Sequence, residues 1–206
     1  MIRERFQGRL TILTLDRPER RNALTGAMLE TLVAALDRAE ARGTDALILT
    51  GTGPVFSAGA DLDEARAGLA TSPLWEALSA RMAAMPCLTV AALNGTLAGG
   101  AFGMVLACDL RIGVAGAGFF YPVMKLGFLP QPSDPARLAA LVGPSRARMI
   151  LMAGARIQAE EARDWGLLDR IVPEDRLMDE ANALCEAALA APGGHAAAIK
   201  ALMNHR

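Results

Sequence analysis

Two short glycine-containing segments have the residue types and the spacing that could perform chemistry. They are residues 57–61 (SAGAD) and residues 94–100 (NGTLAGG), and each follows an apolar run. Glycine allows backbone N–H groups to turn outward and a ligand to approach closely. An N–H group at the start of a helix also lacks an internal acceptor and carries partial positive charge. If the segments face each other, they supply two donors to one ligand oxygen, an oxyanion hole; otherwise they are only tight turns.

Several segments, taken in order along the chain, resemble the enoyl-CoA hydratase/isomerase family, also called the crotonase family. Residues 15–24 (LDRPERRNAL) resemble its opening motif, and residues 56–62 (FSAGADL) resemble its first oxyanion-hole loop. Residues 91–100 with 107–112 (ACDLRI) resemble the second loop. The order continues through residues 119–130, 137–138, 141–143 and 161–167. The resemblance covers about residues 9–206, and motifs in one order are more specific than a single glycine pattern.

The resemblance implies a substrate and a set of contacts. Crotonase-family proteins bind an acyl-CoA thioester and polarise its carbonyl with two backbone N–H groups, which match Ala58 and Gly100 here. Such donors typically supply ~10²–10³ in rate because they meet charge as it develops. Coenzyme A is part of the substrate, and no bound cofactor or metal is implied. The positions that match the CoA-binding region are Arg21, Ala23, Ala60, Asp61 and Leu62, and the arginines that are candidates for phosphates or simply solvated are Arg17, Arg20 and Arg21.

Two positions depart from the family pattern. In the hydratases one catalytic Glu follows the second glycine turn by three residues, and Gly103 stands at that position here. The second catalytic Glu follows a proline of the next motif, where Pro122 is followed by Val123. Neither residue can exchange a proton, and a positioned acid or base is typically worth ~10²–10⁴ in rate. Efficient hydration of an enoyl-CoA is therefore not expected, although the backbone donors remain.

Asp134 is the strongest candidate for a replacement acid, base or nucleophile. It lies in residues 130–135 (PQPSDP), where the family usually has a glycine-rich run. A carboxylate is chemically suited to each of these roles. The alternative is structural, because Ser-Asp-Pro is a common start of a helix. Tyr121 and Glu64 are weaker candidates, and their alternatives are packing and solvation.

The segments that carry these residues alternate between strands and helices. Apolar runs predict strands at residues 10–15, 46–49, 88–93 and 110–114. A stripe that starts after Thr25 predicts a helix to about Ala41, and another helix is expected at about 74–85. Strand–helix–strand order implies a parallel crossover. The last part of the chain predicts helices at about 135–142, 145–152, 159–165, 176–190 and 195–204.

These elements predict the α/β fold class. The resemblance implies a crotonase-like spiral of β-β-α units with a helical C-terminal region. We expect one domain over residues 1–206, with the spiral core at about 1–142 and the helical region at about 143–206. The family also implies assembly as a homotrimer or hexamer, which the apolar C-terminal third of the chain favours.

Composition limits the other function classes. Of 206 residues, 52% are hydrophobic and 21% are charged, with a net charge of -1, so a nucleic-acid or membrane partner is not expected. Cys87, Cys108 and Cys185 are an odd number without a close pair, which argues against disulfides or a zinc site. The charged N-terminus does not resemble a signal peptide, and a cytoplasmic protein is expected. The open alternatives are a crotonase-type lyase or isomerase, a non-catalytic acyl-CoA-binding subunit, and an oligomerisation scaffold.

Overall fold

The computed structural model describes residues 1–204, which form two β-sheets surrounded by helices. The first sheet has six strands in the spatial order β1 (Ile2–Gln7), β2 (Leu10–Leu15), β3 (Ala46–Gly51), β5 (Leu88–Leu93), β7 (Leu110–Val114) and β10 (Arg170–Val172). The second has the order β4 (Val55–Ser57), β6 (Thr96–Ala98), β8 (Gly118–Phe120) and β9 (Arg156–Gln158). Only the β1–β2 and β8–β9 pairs are antiparallel. The predicted parallel crossover from β2 to β3 is confirmed.

The strands alternate between the two sheets as the chain advances. Each of β3, β5 and β7 belongs to the first sheet and is followed directly by a strand of the second, β4, β6 or β8, and then by a helix. This repetition is the predicted spiral of β-β-α units. It places the ends of β4 and β6 side by side, because these two strands are paired in parallel.

The longer helices lie within two residues of the bounds expected from the sequence, whereas the short helices at residues 62–66 and 123–126 were not expected. The helices are α1 (Gly26–Ala41), α2 (Leu62–Arg66), α3 (Leu74–Ala83), α4 (Phe102–Leu106), α5 (Val123–Leu126), α6 (Asp134–Val142), α7 (Pro144–Leu151), α8 (Ala159–Trp165), α9 (Leu177–Ala190) and α10 (His195–Asn204). The Thr25 hydroxyl accepts a hydrogen bond from the Met28 N–H at 3.2 Å and caps α1. Leu29, Leu32 and Leu36 bury one face of α1, as their spacing predicts.

The sequence prediction missed the edge hairpin and the second sheet. β1 exposes most of its polar residues, and the four strands of the second sheet have only three residues each. Three residues are too few to establish an alternating pattern. The C-terminal region also contributes β9 and β10, so it is not purely helical.

The C-terminal helices are tied to the first sheet through polar contacts. Arg9 pairs with Asp45 and donates to the backbone carbonyl groups of Leu189 and Ala191. Lys200 forms an ion pair with Asp109 at 2.9 Å. The three cysteines are free and buried. Among residues 1–204, no helix has the length and apolar character needed to cross a membrane.

Candidate active site

The two glycine-containing segments face each other, which is the arrangement that a shared ligand oxygen requires. Gly59 has a φ of 91°, a left-handed conformation that favours glycine. A Cβ atom at this position would lie 3.0 Å from the Ala98 carbonyl oxygen and 3.4 Å from the Gly99 Cα. The backbones of the two turns are therefore in direct contact, and only glycine at 59 permits this approach.

The structure changes the identity of one expected backbone donor. The Ala58 N–H donates to the Arg21 carbonyl oxygen at 3.0 Å, so it is already committed within the protein. Ala58 is therefore not the free donor that the resemblance implies. The physical reason is the left-handed conformation of Arg21, with φ of 52°, which turns its carbonyl toward the loop.

Two residues further along the same loop, the Ala60 N–H has the required freedom. The backbone of Leu24 is hydrogen-bonded to the two residues that flank Ala60. The Leu24 N–H donates to the Gly59 carbonyl, and the Leu24 carbonyl accepts from the Asp61 N–H, each at 2.8 Å. Within the described part of the chain, the Ala60 N–H itself has no acceptor. Gly100 lies in the first turn of the 3₁₀ segment Gly99–Ala101, where amides lack internal acceptors. Ala60 and Gly100 are thus the available pair.

A cavity of about 140 Å³ opens at these turns and is mostly apolar. Its walls include Ala60, Leu62, Trp75, Gly100, Tyr121 and Val123. The Trp75 ring covers Gly100 so closely that a Cβ there would lie 3.0 Å from ring carbons. The Trp75 indole N–H is fixed by a 2.8 Å hydrogen bond to the Leu69 carbonyl. Sequence reasoning missed Trp75, because nothing in the chain marks which aromatic residue reaches the glycine turn.

The expected CoA-binding side chains divide into bonded and exposed groups. Asp61 caps α2 by accepting from the Asp63 N–H, and it pairs with Arg17 at 2.8 Å. The hydrogen bond from Arg17 is the main cause that lowers the Asp61 pKa. Arg17 also donates to the Ala23 carbonyl, so its charge is used internally. Leu62 is exposed beside the cavity.

Arg20 and Arg21 remain available to a ligand because both are exposed. Asn22, buried next to them, accepts from the Arg17 N–H and donates to the carbonyls of Thr52 and Val55. Glu64, a weaker candidate, accepts a 2.7 Å hydrogen bond from the Gly26 N–H at the start of α1. Its carboxylate therefore has a structural partner.

Gly103 and Val123, where the resemblance places two glutamates, carry no carboxylate, but Asp134 lies close to Gly103. The Asp134 Oδ1 atom is 2.9 Å from where a Cβ of Gly103 would stand. Asp134 is 1% exposed. α6 begins at Asp134 with Pro135 in its first turn, as the structural alternative predicts, but Ser133 forms no side-chain cap there.

Tyr121 connects this buried carboxyl to the cavity. Its hydroxyl donates to Asp134 Oδ2 at 2.9 Å, and its ring stacks on Phe102 with centroids 5.3 Å apart. Burial raises the pKa of Asp134 to about 6, against the opposing effect of the Tyr121 hydrogen bond. Burial, reinforced by the Asp134 charge, also raises the pKa of Tyr121. Tyr121 is therefore a neutral hydroxyl held against a basic carboxylate.

Known proteins resemble this chain in sequence and fold over most of its length. The sequence model of the enoyl-CoA hydratase/isomerase family matches residues 5–206. A Rhizobium meliloti protein named probable enoyl-CoA hydratase is 34% identical over 188 residues, covering 87% of this chain and 72% of that protein. The crystal structure of an enoyl-CoA hydratase from Bacillus anthracis is 30% identical, with a TM-score of 0.91, covering 99% of this chain and 82% of that one. An enoyl-CoA hydratase/isomerase from Pseudoalteromonas atlantica is 27% identical, with a TM-score of 0.90, covering 98% and 82%. With this fold and these matches, the chain belongs to the enoyl-CoA hydratase/isomerase family.

Proposed function

We propose that this protein binds an acyl-CoA thioester and stabilises its enolate between the backbone N–H groups of Ala60 and Gly100. The observation that carries the proposal is the contact between the two glycine turns beside an apolar cavity, where these two N–H groups have no acceptor among residues 1–204. A thioester carbonyl placed there receives two hydrogen bonds, and these strengthen as negative charge develops on its oxygen.

The shape and charge of the surroundings support this ligand. The cavity is small and mostly apolar, which suits a short acyl chain. Arg20 and Arg21 are exposed close to the first glycine turn, because the Arg21 carbonyl accepts a hydrogen bond from the Ala58 N–H of that turn. They offer cations to the phosphates of coenzyme A, which arginine binds well.

The binding test uses two ligands that differ only in the carbonyl. Calorimetry with butyryl-CoA and with its thioether analogue, S-butyl-CoA, isolates the contribution of the two N–H donors. We expect the thioester to bind about tenfold more tightly, since two net hydrogen bonds are worth about 1–3 kcal/mol. Free coenzyme A should bind more weakly than butyryl-CoA. Absence of any heat or competition at millimolar butyryl-CoA would contradict the proposal.

The reaction that follows enolate formation is proposed to be of the lyase or isomerase type and not efficient hydration. Hydration needs one group to activate water and another to protonate the α-carbon. Gly103 and Val123 supply neither, so hydration of crotonyl-CoA should be at least about 10⁴ slower than in a family hydratase. Rapid hydration in a spectrophotometric assay would overturn this assignment.

A second candidate is a non-catalytic acyl-CoA-binding subunit. The same observation at Gly103 and Val123 favours it, because the binding turns persist where acid–base side chains do not. Exchange of the α-protons of bound butyryl-CoA with D₂O, followed by NMR, separates the two functions. An enzyme that forms the enolate catalyses exchange, whereas a simple binding protein does not.

A further inference from the structure

We propose that Tyr121 and Asp134 form the proton relay of this site, taking the place of the carboxylates that positions 103 and 123 lack. The proposal rests on the acyl-CoA function proposed above. It is carried by three observations within the described residues: a tyrosine that lines the cavity, a buried carboxylate bonded to its hydroxyl, and an oxygen of that carboxylate without a partner.

The Asp134 carboxylate fills the space beneath the second glycine turn. Its Oδ1 atom lies 2.9 Å from the Cβ position of Gly103, so a side chain at 103 would require the carboxylate to shift. The carboxylate of α6 therefore occupies the room into which a residue 103 side chain would extend. A carboxylate therefore lies next to the cavity, but it belongs to α6 and not to α4, the helix that carries position 103.

The Asp134 carboxylate has few hydrogen-bond donors around it. Within residues 1–204, Asp134 Oδ1 is the buried side-chain oxygen that has no hydrogen-bond partner. Oδ2 has one donor, the Tyr121 hydroxyl. A carboxylate with few donors holds its negative charge poorly and is a stronger base. Its position therefore makes it a proton acceptor.

Tyr121 is the member of the pair that can meet the substrate. Both side chains are buried, but Tyr121 lines the cavity together with Ala60 and Gly100, and Asp134 lies behind it. The Tyr121 proton points to Asp134 Oδ2, and one lone pair of its oxygen faces the Gln131 backbone. The second lone pair remains to accept another proton. Tyr121 is the catalytic residue of the relay, and Asp134 acts through it.

The relay consists of two proton transfers and requires no further reactant. The acyl Cα–H bond breaks, its proton moves to the Tyr121 oxygen, and the Tyr121 proton moves to Asp134. The electron pair of the broken bond forms the enolate, whose oxygen is held by the N–H groups of Ala60 and Gly100. Reversal of both transfers returns a proton to the α-carbon, or to the γ-carbon of an unsaturated chain, which is isomerisation.

The charged groups around Asp134 permit this cycle near neutral pH. Glu76 from α3 opposes ionisation of Asp134, and Arg137 from α6 favours it. Glu76 accepts from the Ser133 N–H at 3.1 Å, and Arg137 donates to Ser79. α4, which packs on the same side, contributes no ionisable residue. The carboxylate is therefore ionised when the pH exceeds its raised pKa.

The experiment measures α-proton exchange of butyryl-CoA in D₂O for the wild type, Tyr121→Phe, Asp134→Asn and the double variant. We expect each single variant to lower the exchange rate at least about 10²-fold, while calorimetry shows a change of less than about threefold in butyryl-CoA affinity. The double variant should be no slower than the slower single variant, because the two groups act as a unit. In the wild type, exchange should rise as the pH passes about 6, and Asp134→Asn should abolish that rise.

Asp45→Asn is the matched control, since it removes another buried carboxylate that pairs with Arg9 away from the cavity. This variant should lower the melting temperature without changing the rate at which the α-protons of bound butyryl-CoA exchange with D₂O. Exchange by Tyr121→Phe at the wild-type rate would overturn the relay. So would a wild type that binds butyryl-CoA without exchanging its protons, which leaves the binding function intact. A wild type that does not bind would overturn the binding function and the relay together.

Discussion

At the scale of single residues, Gly103 and Asp134 lie in contact although they are far apart in the sequence. The sequence alone shows that position 103 lacks a carboxylate and that Asp134 is a candidate. It does not show that the two meet, because that contact depends on how α6 packs against α4. The same limit applies to Ala58 and Ala60, where the choice of donor depends on a carbonyl of Arg21.

The raised pKa of Asp134 predicts a pH dependence of stability. Its folded-state pKa of about 6 lies above the value of 3.8 expected when unfolded. The carboxyl is then neutral in both states at low pH, and the folded state loses stability as the pH rises through the folded pKa. Chemical unfolding at pH 4 and pH 8 should show that Asp134→Asn gains on the order of 2–3 kcal/mol relative to the wild type over that range.

Asp61→Asn provides the opposite control. Its pKa is lowered in the folded state, so its contribution is present above the unfolded pKa and is lost as the pH falls through the folded pKa. This variant should therefore lose stability relative to the wild type at pH 8 and recover at low pH. An Asp134→Asn curve parallel to that of the wild type would contradict the proposed ionisation.

At the scale of elements, one buried amide shapes the first turn of the site. Asn22 is fully buried, and its side chain joins Arg17, just before the 3₁₀ segment Pro18–Arg20, to Thr52 and Val55 at the connection from β3 to β4. It also holds a left-handed conformation, with φ of 51°. The Arg21 carbonyl that engages Ala58 is placed by this arrangement.

Asn22→Ala should therefore damage both stability and the site. It removes three hydrogen bonds and leaves buried backbone groups unpaired, a loss of about 2–4 kcal/mol. Butyryl-CoA affinity should fall as well, because the turn that carries Ala60 loses its support. Asn182→Ala is the matched control, since its single hydrogen bond lies within α9. Unfolding curves and calorimetry measure both effects, and unchanged affinity in folded Asn22→Ala would contradict the link.

The long elements could be predicted from the sequence, whereas the second sheet could not. α1, α9 and β2 carry enough residues for their periodicity to be recognised. β4, β6 and β8 are defined by pairing with one another and not by their own pattern. Since the two glycine turns follow β4 and β6, the backbone N–H groups proposed as donors could be identified only from the folded chain.

At the scale of the whole molecule, one apolar surface remains uncovered next to the site. A cavity of about 590 Å³ is bordered by α5, α6 and α7. Several of its apolar residues are exposed, namely Met124, Phe128, Leu129 and Met152. Exposed apolar surface of this kind is typical of interfaces.

We propose that this surface mediates self-association, with a trimer as the expected state. Light scattering should show a trimer for the wild type and a smaller species for Leu129→Asp, because a charge in an apolar interface is costly. Leu202→Asp, on exposed α10, should leave the assembly unchanged. A wild type that is monomeric at micromolar concentration would contradict the proposal, and dissociation by Leu202→Asp alone would move the interface to the C-terminal helices.

The three buried cysteines can be used to measure local opening of the native protein. Burial raises the pKa of Cys87 and Cys108 to about 12 and that of Cys185 to about 11. Thiol reagents attack the thiolate, so these residues are inert while the structure is closed. The rate of alkylation at each cysteine then measures how often its surroundings open. Since Cys185 lies on α9 and Cys108 follows α4, their labelling rates compare the fluctuations of the C-terminal helices directly with those of the segment that carries the glycine turn.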